Sequence, residues 1–159
     1  MPFVVGLSSL LATAEGAPHI ASRLVLVGGV ATVAIGDAAT VFLDALALGG
    51  APSELSDSTI RLLLELDAVA IAAIGLPMAV TAIATATVIW QTGLLPRWLA
   101  PVAMLSGILH IVGASFAAAG DAEGPLFFIR FGGLIAFAVV VAASSVSLVS
   151  GKSTVSRAA

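Results

Sequence analysis

The stretch Gln91-Thr92-Gly93-Leu94-Leu95-Pro96-Arg97-Trp98 separates two long apolar runs in the middle of the chain. Its glycine and its proline are helix breakers, so the stretch predicts a tight turn. Two tryptophans border it, and amphipathic indole rings favour the boundary between a membrane and water. A single arginine in so short a turn favours the cytoplasmic side. A cytoplasmic turn between two helical hairpins is therefore predicted at Gly93, Pro96, Arg97 and Trp98.

The composition does not fit an ordinary soluble domain. Of the 159 residues, 60% are hydrophobic and 9% are charged, and the mean hydropathy is +1.18. Soluble domains carry about 25% charged residues, so we expect an integral membrane protein with the lipid bilayer as its first partner. The absence of cysteine excludes disulfides and thiolate chemistry. The six lysines and arginines are scattered, so no nucleic-acid partner is expected.

Hydropathy divides the chain into three parts. Residues 1–19 predict a segment that lies on the inner membrane surface, because their apolar run is shorter than the about 20 residues that a span needs. Residues 151–159 predict a polar cytoplasmic tail. Between them, residues 20–150 predict an all-α, four-helix membrane bundle of two hairpins. Its spans are expected at about 22–48, 59–91, 101–119 and 126–149.

Charges at the helix ends predict the orientation. One set of ends carries basic residues, namely Arg23, Arg97, Lys152 and Arg157. The loops at the opposite ends carry acids, namely Glu54, Asp57, Asp121 and Glu123. Positive loops stay in the cytoplasm, so we expect a multi-pass protein of the inner (plasma) membrane with both termini in the cytoplasm.

Local signals add detail to the spans. Asp57 or Ser58 is a plausible N-cap for the second span, and Pro77 should bend that span because it lacks a backbone donor. Small residues at spacings of four predict close helix packing. In the first span these are Gly28, Thr32, Gly36 and Thr40. A homo-oligomer or a partner membrane subunit is compatible with such faces.

Ionisable side chains within the spans are the sharpest functional signal, because they are costly in lipid and usually face the bundle interior or a watery cavity. Counting from Arg23 puts Asp37 near the membrane centre, with His110 at a comparable depth. Arg61 and Glu65 stand one turn apart and predict an interfacial ion pair. The predicted intramembrane polar cluster consists of Asp37, Asp44, Asp67, His110 and Arg130.

Two functions remain open on this pattern. The first is a non-enzymatic accessory or scaffold subunit, in which buried ions fix the helix arrangement and Arg130 pairs with Asp44 or Asp67. The second is a small proton- or ion-coupled transporter or channel subunit, in which Asp37 and His110 titrate together. The first is preferred, because the two hairpins cross the membrane in the same direction and show no inverted repeat.

Enzymatic and metal-binding alternatives have weaker signals. A metal site of His110, Asp37 and Asp67 would lack the Glu-x-x-His pairs of di-iron bundles. A hydrolase triad of Ser106, His110 and Asp37 has its serine and histidine one turn apart on one helix, without a nucleophile elbow. A bis-histidine haem is disfavoured because His19 lies at the inner boundary. No catalytic residue, metal or cofactor is therefore predicted.

The run Thr92–Leu99, followed by a glycine-bearing apolar helix, resembles a turn of multi-span membrane proteins from actinobacteria and related bacteria. Those proteins form uncharacterised, domain-of-unknown-function families. The match covers this turn, and the rest of the chain shares only hydropathy and loop rhythm with them. The resemblance implies a helical bundle in a bacterial membrane, and it carries over no activity.

Overall fold

The computed structural model describes residues 2–48, 55–115 and 124–149. Within these ranges the chain is helical and contains no strand, so the predicted all-α class is confirmed for them. The helices are α1 (Pro2–Glu15), α2 (Ile20–Leu48), α3 (Asp57–Thr92), α4 (Leu99–Ala114) and α5 (Pro125–Val149). The predicted tail, residues 151–159, lies outside the described residues.

Three helices are long and apolar enough to cross a membrane, and they correspond to the first, second and fourth predicted spans. They are α2, α3 and α5. Helix α4 has 16 residues, which gives a length of about 24 Å against a hydrocarbon thickness of about 30 Å. Residues 116–119 of the third predicted span lie outside the described residues. The third predicted span, and with it the count of four spans, therefore stays a prediction.

Helices that follow each other in the chain are neighbours in space, from α2 to α5, and α1 packs on both α2 and α3. Helix α1 runs antiparallel to α2. Val4 lies against Gly29, and the Ser8 hydroxyl donates to the Ser22 carbonyl at 2.8 Å. Leu11 is completely buried between these helices. The segment expected on a membrane surface is thus a packed helix of the bundle core, and its depth relative to a membrane stays a prediction.

A carboxylate closes the connection between α1 and α2. Glu15 accepts hydrogen bonds from the backbone amides of Ala21 at 2.9 Å and Ser22 at 2.8 Å, and also from the Ser22 hydroxyl. The amides of a first helical turn have no partner inside their helix, and a negative charge there is favourable. Burial opposes ionisation of Glu15, but the hydrogen bonds from Ser22 and Ala21 outweigh it and hold the pKa below its ordinary value.

The turn after α3 joins two separate cores. Gly93 ends α3 with a φ of 62°, a left-handed conformation that glycine adopts without strain. Leu94 is buried with α1 and α2, whereas Leu95 is buried with α4 and α5. Trp98 is exposed at the start of α4. The predicted turn is present, and its two leucines anchor it on both sides.

Glycines stand where neighbouring helices approach most closely. A Cβ on Gly28 of α2 would lie 2.9 Å from the Pro77 carbonyl of α3. A Cβ on Gly113 of α4 would lie 2.7 Å from the Cα of Arg130 on α5. Neither position has room for a side chain, so the small residues set the helix spacing, as the sequence predicts for bundles of this kind.

Two local predictions on α3 have different outcomes. The N-cap is Ser56, whose hydroxyl accepts from the Thr59 amide at 3.3 Å, so the expected cap at Asp57 or Ser58 is wrong by one or two residues. Helix α3 continues through Pro77, and the Thr81 hydroxyl donates to the Pro77 carbonyl at 2.9 Å. The predicted bend at Pro77 stays a prediction.

Candidate functional site

Contacts at the helix crossings fix which residues lie at the same level. Gly36 of α2 lies opposite Ile74 of α3, because a Cβ added to Gly36 would be 3.9 Å from the Ile74 side chain. Asp37 is therefore level with Ile74, sixteen residues from Trp90 along α3, or about 24 Å. A membrane that begins at Trp90 would have its centre about 15 Å away. Such a membrane would have Asp37 in its outer half, and the depth near the membrane centre stays a prediction.

Of the five residues of the predicted polar cluster, the structure brings His110 and Arg130 together at one cavity. Asp37 and Asp44 are exposed on α2, Asp67 and Arg130 are half-buried, and His110 is buried. Arg130 makes no ion pair with Asp44 or Asp67, all three of which the structure describes. The acids of α2 face outward because α2 packs on α3 through its glycine face instead.

The interfacial pair has the predicted geometry. Arg61 Nε lies 3.3 Å from Glu65 Oε1 on the surface of α3. Both side chains are exposed, and an exposed pair one helical turn apart contributes only about 0.3–0.5 kcal/mol. The pair therefore contributes little to the stability of the fold, and its place at a membrane interface stays a prediction.

His110 is held at the crossing of α4 and α5. It is 1% exposed, and its Nδ1 donates to the Ser106 carbonyl at 2.8 Å. The Ser106 hydroxyl donates across to the Gly133 carbonyl of α5 at 2.9 Å. The Phe137 ring meets the imidazole edge-to-face, with centroids 6.4 Å apart. We name His110, Ser106 and Gly133 the α4–α5 clasp.

The clasp was not predicted as a unit. Its only sequence signal is a serine and a histidine four residues apart, which we considered as a possible nucleophile and base. The Ser106 hydroxyl is 3.4 Å from Nδ1, but both groups point their protons at carbonyls. Asp37 is exposed on another helix, so the hydrolase triad is not assembled. No three His, Asp or Glu side chains among the described residues lie close enough to hold one metal ion.

A cavity of 210 Å³ lies beside the clasp, between α3, α4 and α5. Its lining consists of Ile71, Met78, His110, Arg130, Phe131 and Leu134. Phe131 and Leu134 are also about half exposed, at 53% and 45%, so the cavity opens on the outer surface of the bundle. His110 and Arg130 are the polar residues of an otherwise apolar lining.

The α2–α3 hairpin continues beyond the rest of the described bundle. Gly75 of α3 and Arg130 of α5 lie at the same level of the bundle. From this level, α3 extends a further 18 residues, or about 27 Å, to its first residue, Asp57. Helix α5 extends only five residues in the same direction, to Pro125. We name residues 40–48 and 55–71 the outer arm. None of the side chains described in the outer arm is buried. Among the described residues, the arm therefore has no core of its own.

The surface of the outer arm is both apolar and acidic. Leu62 is 55% exposed and Leu66 is 40% exposed, and further exposed apolar side chains are Val41, Leu43, Leu64 and Val69. One arginine, Arg61, stands among four acids of the described arm, which are Asp44, Asp57, Glu65 and Asp67. This surface would be unusual on a helix pair with nothing packed against it.

Comparisons of the chain with protein-family models, with curated proteins and with solved structures find no match. The resemblance of the Thr92–Leu99 turn to multi-span proteins of actinobacteria therefore stays a prediction.

Proposed function

We propose that this protein is an integral membrane protein with four spans and cytoplasmic termini, and that it acts as a non-enzymatic accessory or scaffold subunit. Helix α3 carries no charged side chain from Ala68 to Trp90, 23 residues or about 34 Å. This length matches the hydrocarbon core of a bilayer, which is about 30 Å thick. Such a membrane would have Trp90 at its inner boundary and residues 55–67 of the outer arm beyond its outer boundary.

The single observation that carries the proposal is the coreless outer arm. Two helices without buried side chains have little to hold them together, because packing supplies most helix stability. If the arm stands outside the hydrocarbon, lipid tails cannot cover Leu62, Leu66 and their neighbours. A protein partner that packs on the arm would cover this surface and complete a core.

The charge of the outer arm indicates which kind of partner fits. Its four acids against one arginine leave it negative, so two arms from identical chains would repel each other. A partner subunit with a basic, apolar helical segment is complementary to it in both charge and hydropathy. The accessory function therefore consists of docking such a subunit at the outer face.

Transport through Asp37 and His110 has less support. Asp37 is exposed on α2, while the proton on His110 Nδ1 is bound by the Ser106 carbonyl on α4. No observed contact joins the two side chains into a titrating pair.

The test is co-purification from native membranes in mild detergent. A second polypeptide should elute with the wild-type chain in a fixed ratio and should be lost from the Leu62→Ser/Leu66→Ser double variant. Both leucines are exposed, so the variant should fold normally. Leu105→Ser is the matched control, because Leu105 is 52% exposed on α4 and lies outside the arm.

Three results would contradict the proposal. Elution of the folded wild type alone would show that it has no stable partner subunit. Retention of the partner by the double variant would show that the partner binds outside the arm. A homodimer cross-linked through the arm would show that the arm binds a second copy of this chain and not a basic partner.

A further inference from the structure

We propose that the groove between the end of α3 and the start of α4 binds the headgroup of an anionic phospholipid. The groove has a volume of 370 Å³, and it is lined by Trp90, Arg97, Ala100 and Pro101. This binding rests on the proposed membrane insertion of the chain, but it is independent of any subunit that docks on the outer arm. The charge of the groove and an exposed apolar face that begins there point to this ligand.

Arg97 gives the groove a positive charge that no carboxylate in the described part of the chain pairs with. Its side chain is exposed and turns back over the end of α3, where a Cβ added to Gly93 would lie 3.9 Å from its Nε. Within the described residues the one ion pair joins Arg61 to Glu65. Glu15, the acid described at this end of the bundle, accepts from backbone amides of α2. An anion is therefore the ligand that the groove fits.

The hydrogen-bonding groups of the groove favour a phosphate diester in a headgroup that has no ammonium group. The Arg97 guanidinium has five donors and no acceptor, and its planar fork can bind two oxygens of one phosphate. The Trp90 ring is 68% exposed, and its indole N–H is also only a donor. Phosphatidylglycerol meets these donors with its phosphate. Phosphatidylcholine would in addition bring a second positive charge beside Arg97, so the anionic lipid should be preferred.

An exposed apolar face of α4 continues from the groove and matches one acyl chain in length. From Pro101, exposed side chains follow at spacings of four, three and four residues, which place them on one face of the helix. They are Leu105 at 52%, Ile108 at 49% and Val112 at 41% exposure. The face is about 17 Å long, close to half of the about 30 Å hydrocarbon core. A headgroup held at Arg97 thus leaves one acyl chain alongside this face.

The chain has two tryptophans, so fluorescence can report on the groove directly. Trp98→Phe leaves Trp90 as the single indole, and it should fold normally because Trp98 is exposed and is not part of the described lining. This full-length variant is placed in vesicles of equal parts phosphatidylglycerol and phosphatidylcholine, with brominated acyl chains on one lipid or on the other. A basic residue at an anionic surface strengthens binding about fivefold. Brominated phosphatidylglycerol should therefore quench Trp90 as if it were about fivefold more abundant there than phosphatidylcholine.

Two further substitutions in the Trp98→Phe chain separate the groove from the general charge of this end of the bundle. Arg97→Gln should abolish the preference for phosphatidylglycerol. Arg23→Gln is the matched control, because Arg23 is exposed on α2 at the same end but outside the described lining, and the preference should remain.

Three results would overturn the proposal while leaving membrane insertion intact. They are equal quenching of Trp90 by the two lipids, a preference that survives Arg97→Gln, and a preference that Arg23→Gln abolishes as completely as Arg97→Gln does. Quenching by neither lipid would contradict both this binding and the proposed membrane insertion, so the two failures are distinguishable.

Discussion

The carboxylate of Glu15 does for α2 what the side chain of an N-cap residue does for many helices, although Glu15 belongs to the preceding helix. It satisfies two first-turn amides, and replacing a capping side chain by alanine costs about 1 kcal/mol. Glu15→Ala should therefore lower the melting temperature in detergent. Glu65→Ala, which removes only an exposed ion pair, is the control and should lower it less. Equal decreases in melting temperature for the two variants would contradict the capping role of Glu15.

The same residue predicts a pH dependence. The hydrogen bonds from Ser22 and Ala21 lower the pKa of Glu15 below its ordinary value of 4.5. A group with a lowered folded pKa stabilises the fold above its unfolded pKa, and this contribution is lost as the pH falls through the folded pKa. The melting-temperature difference between wild type and Glu15→Gln should thus be full at pH 7 and shrink below about pH 4.5. A difference that grows on acidification would contradict this sign.

Two buried serines of the α4–α5 pair should respond oppositely to the same substitution. Ser106 donates to the Gly133 carbonyl, whereas the buried Ser144 hydroxyl has no hydrogen-bond partner among the described residues. Ser106→Ala should cost about 0.5–1.5 kcal/mol, and Ser144→Ala should be neutral or stabilising, because it removes an unsatisfied polar group. Thermal unfolding of both variants tests this. A larger loss of stability for Ser144→Ala than for Ser106→Ala would show that the Ser144 hydroxyl makes a hydrogen bond in the folded protein.

At the scale of the elements, glycine positions decide how closely the helices pack. A Cβ on Gly113 would lie 2.7 Å from the Cα of Arg130, so α4 and α5 would have to separate. Gly113→Ala should destabilise the bundle by about 1–3 kcal/mol, the usual cost of overpacking. A Cβ on Gly132 would be 3.8 Å from its nearest neighbour, so Gly132→Ala should be neutral or slightly stabilising. Comparable losses in the two variants would mean that the crossing is looser than the structure shows.

At the scale of the whole molecule, the sequence predicts helix positions well and helix faces poorly. The long uninterrupted apolar runs of α2, α3 and α5 and the breakers at Gly93 and Pro96 mark the elements directly. The sequence does not indicate whether the Asp37 side chain faces a neighbouring helix or the outside of the bundle. A helix that is apolar on all sides gives no sign of which side packs. The level of Asp37 relative to α3 depends on the register between α2 and α3, which only the packed structure supplies.

The packing of α1 and the outer arm also escaped prediction, for a related reason. A twelve-residue apolar run fits a surface segment as well as a short helix packed in a bundle. The length of α3 was visible in the sequence, but the level at which α4 and α5 end was not. That level follows from the glycine contacts of α4 with α3 and α5. It is the reason that residues 40–48 and 55–71 have no core within the described part of the chain.

The proposed orientation of the whole chain predicts which positions are accessible from outside the cell. The chain has no native cysteine, so a single cysteine reports its own location. Ser58→Cys in the outer arm should react with a membrane-impermeant maleimide in intact cells, because Ser58 is exposed and the proposed orientation puts it beyond the outer boundary. Ser153→Cys in the predicted tail should react only after the membrane is opened. The reverse pattern would invert the topology.

The last prediction separates the accessory subunit from the transporter. The purified chain in vesicles should give no pH change under an imposed potential beyond that of empty vesicles, because no contact joins Asp37 to His110. Asp37→Asn should match the wild type in this assay and in melting temperature, since an exposed carboxylate outside the packed interface does little for the fold. Proton flux in the wild type that disappears in Asp37→Asn would establish the carboxylate as a proton carrier. Asp37 would then have to reach His110 in a second arrangement of the helices, with α2 rotated on α3 away from the contact at Gly28.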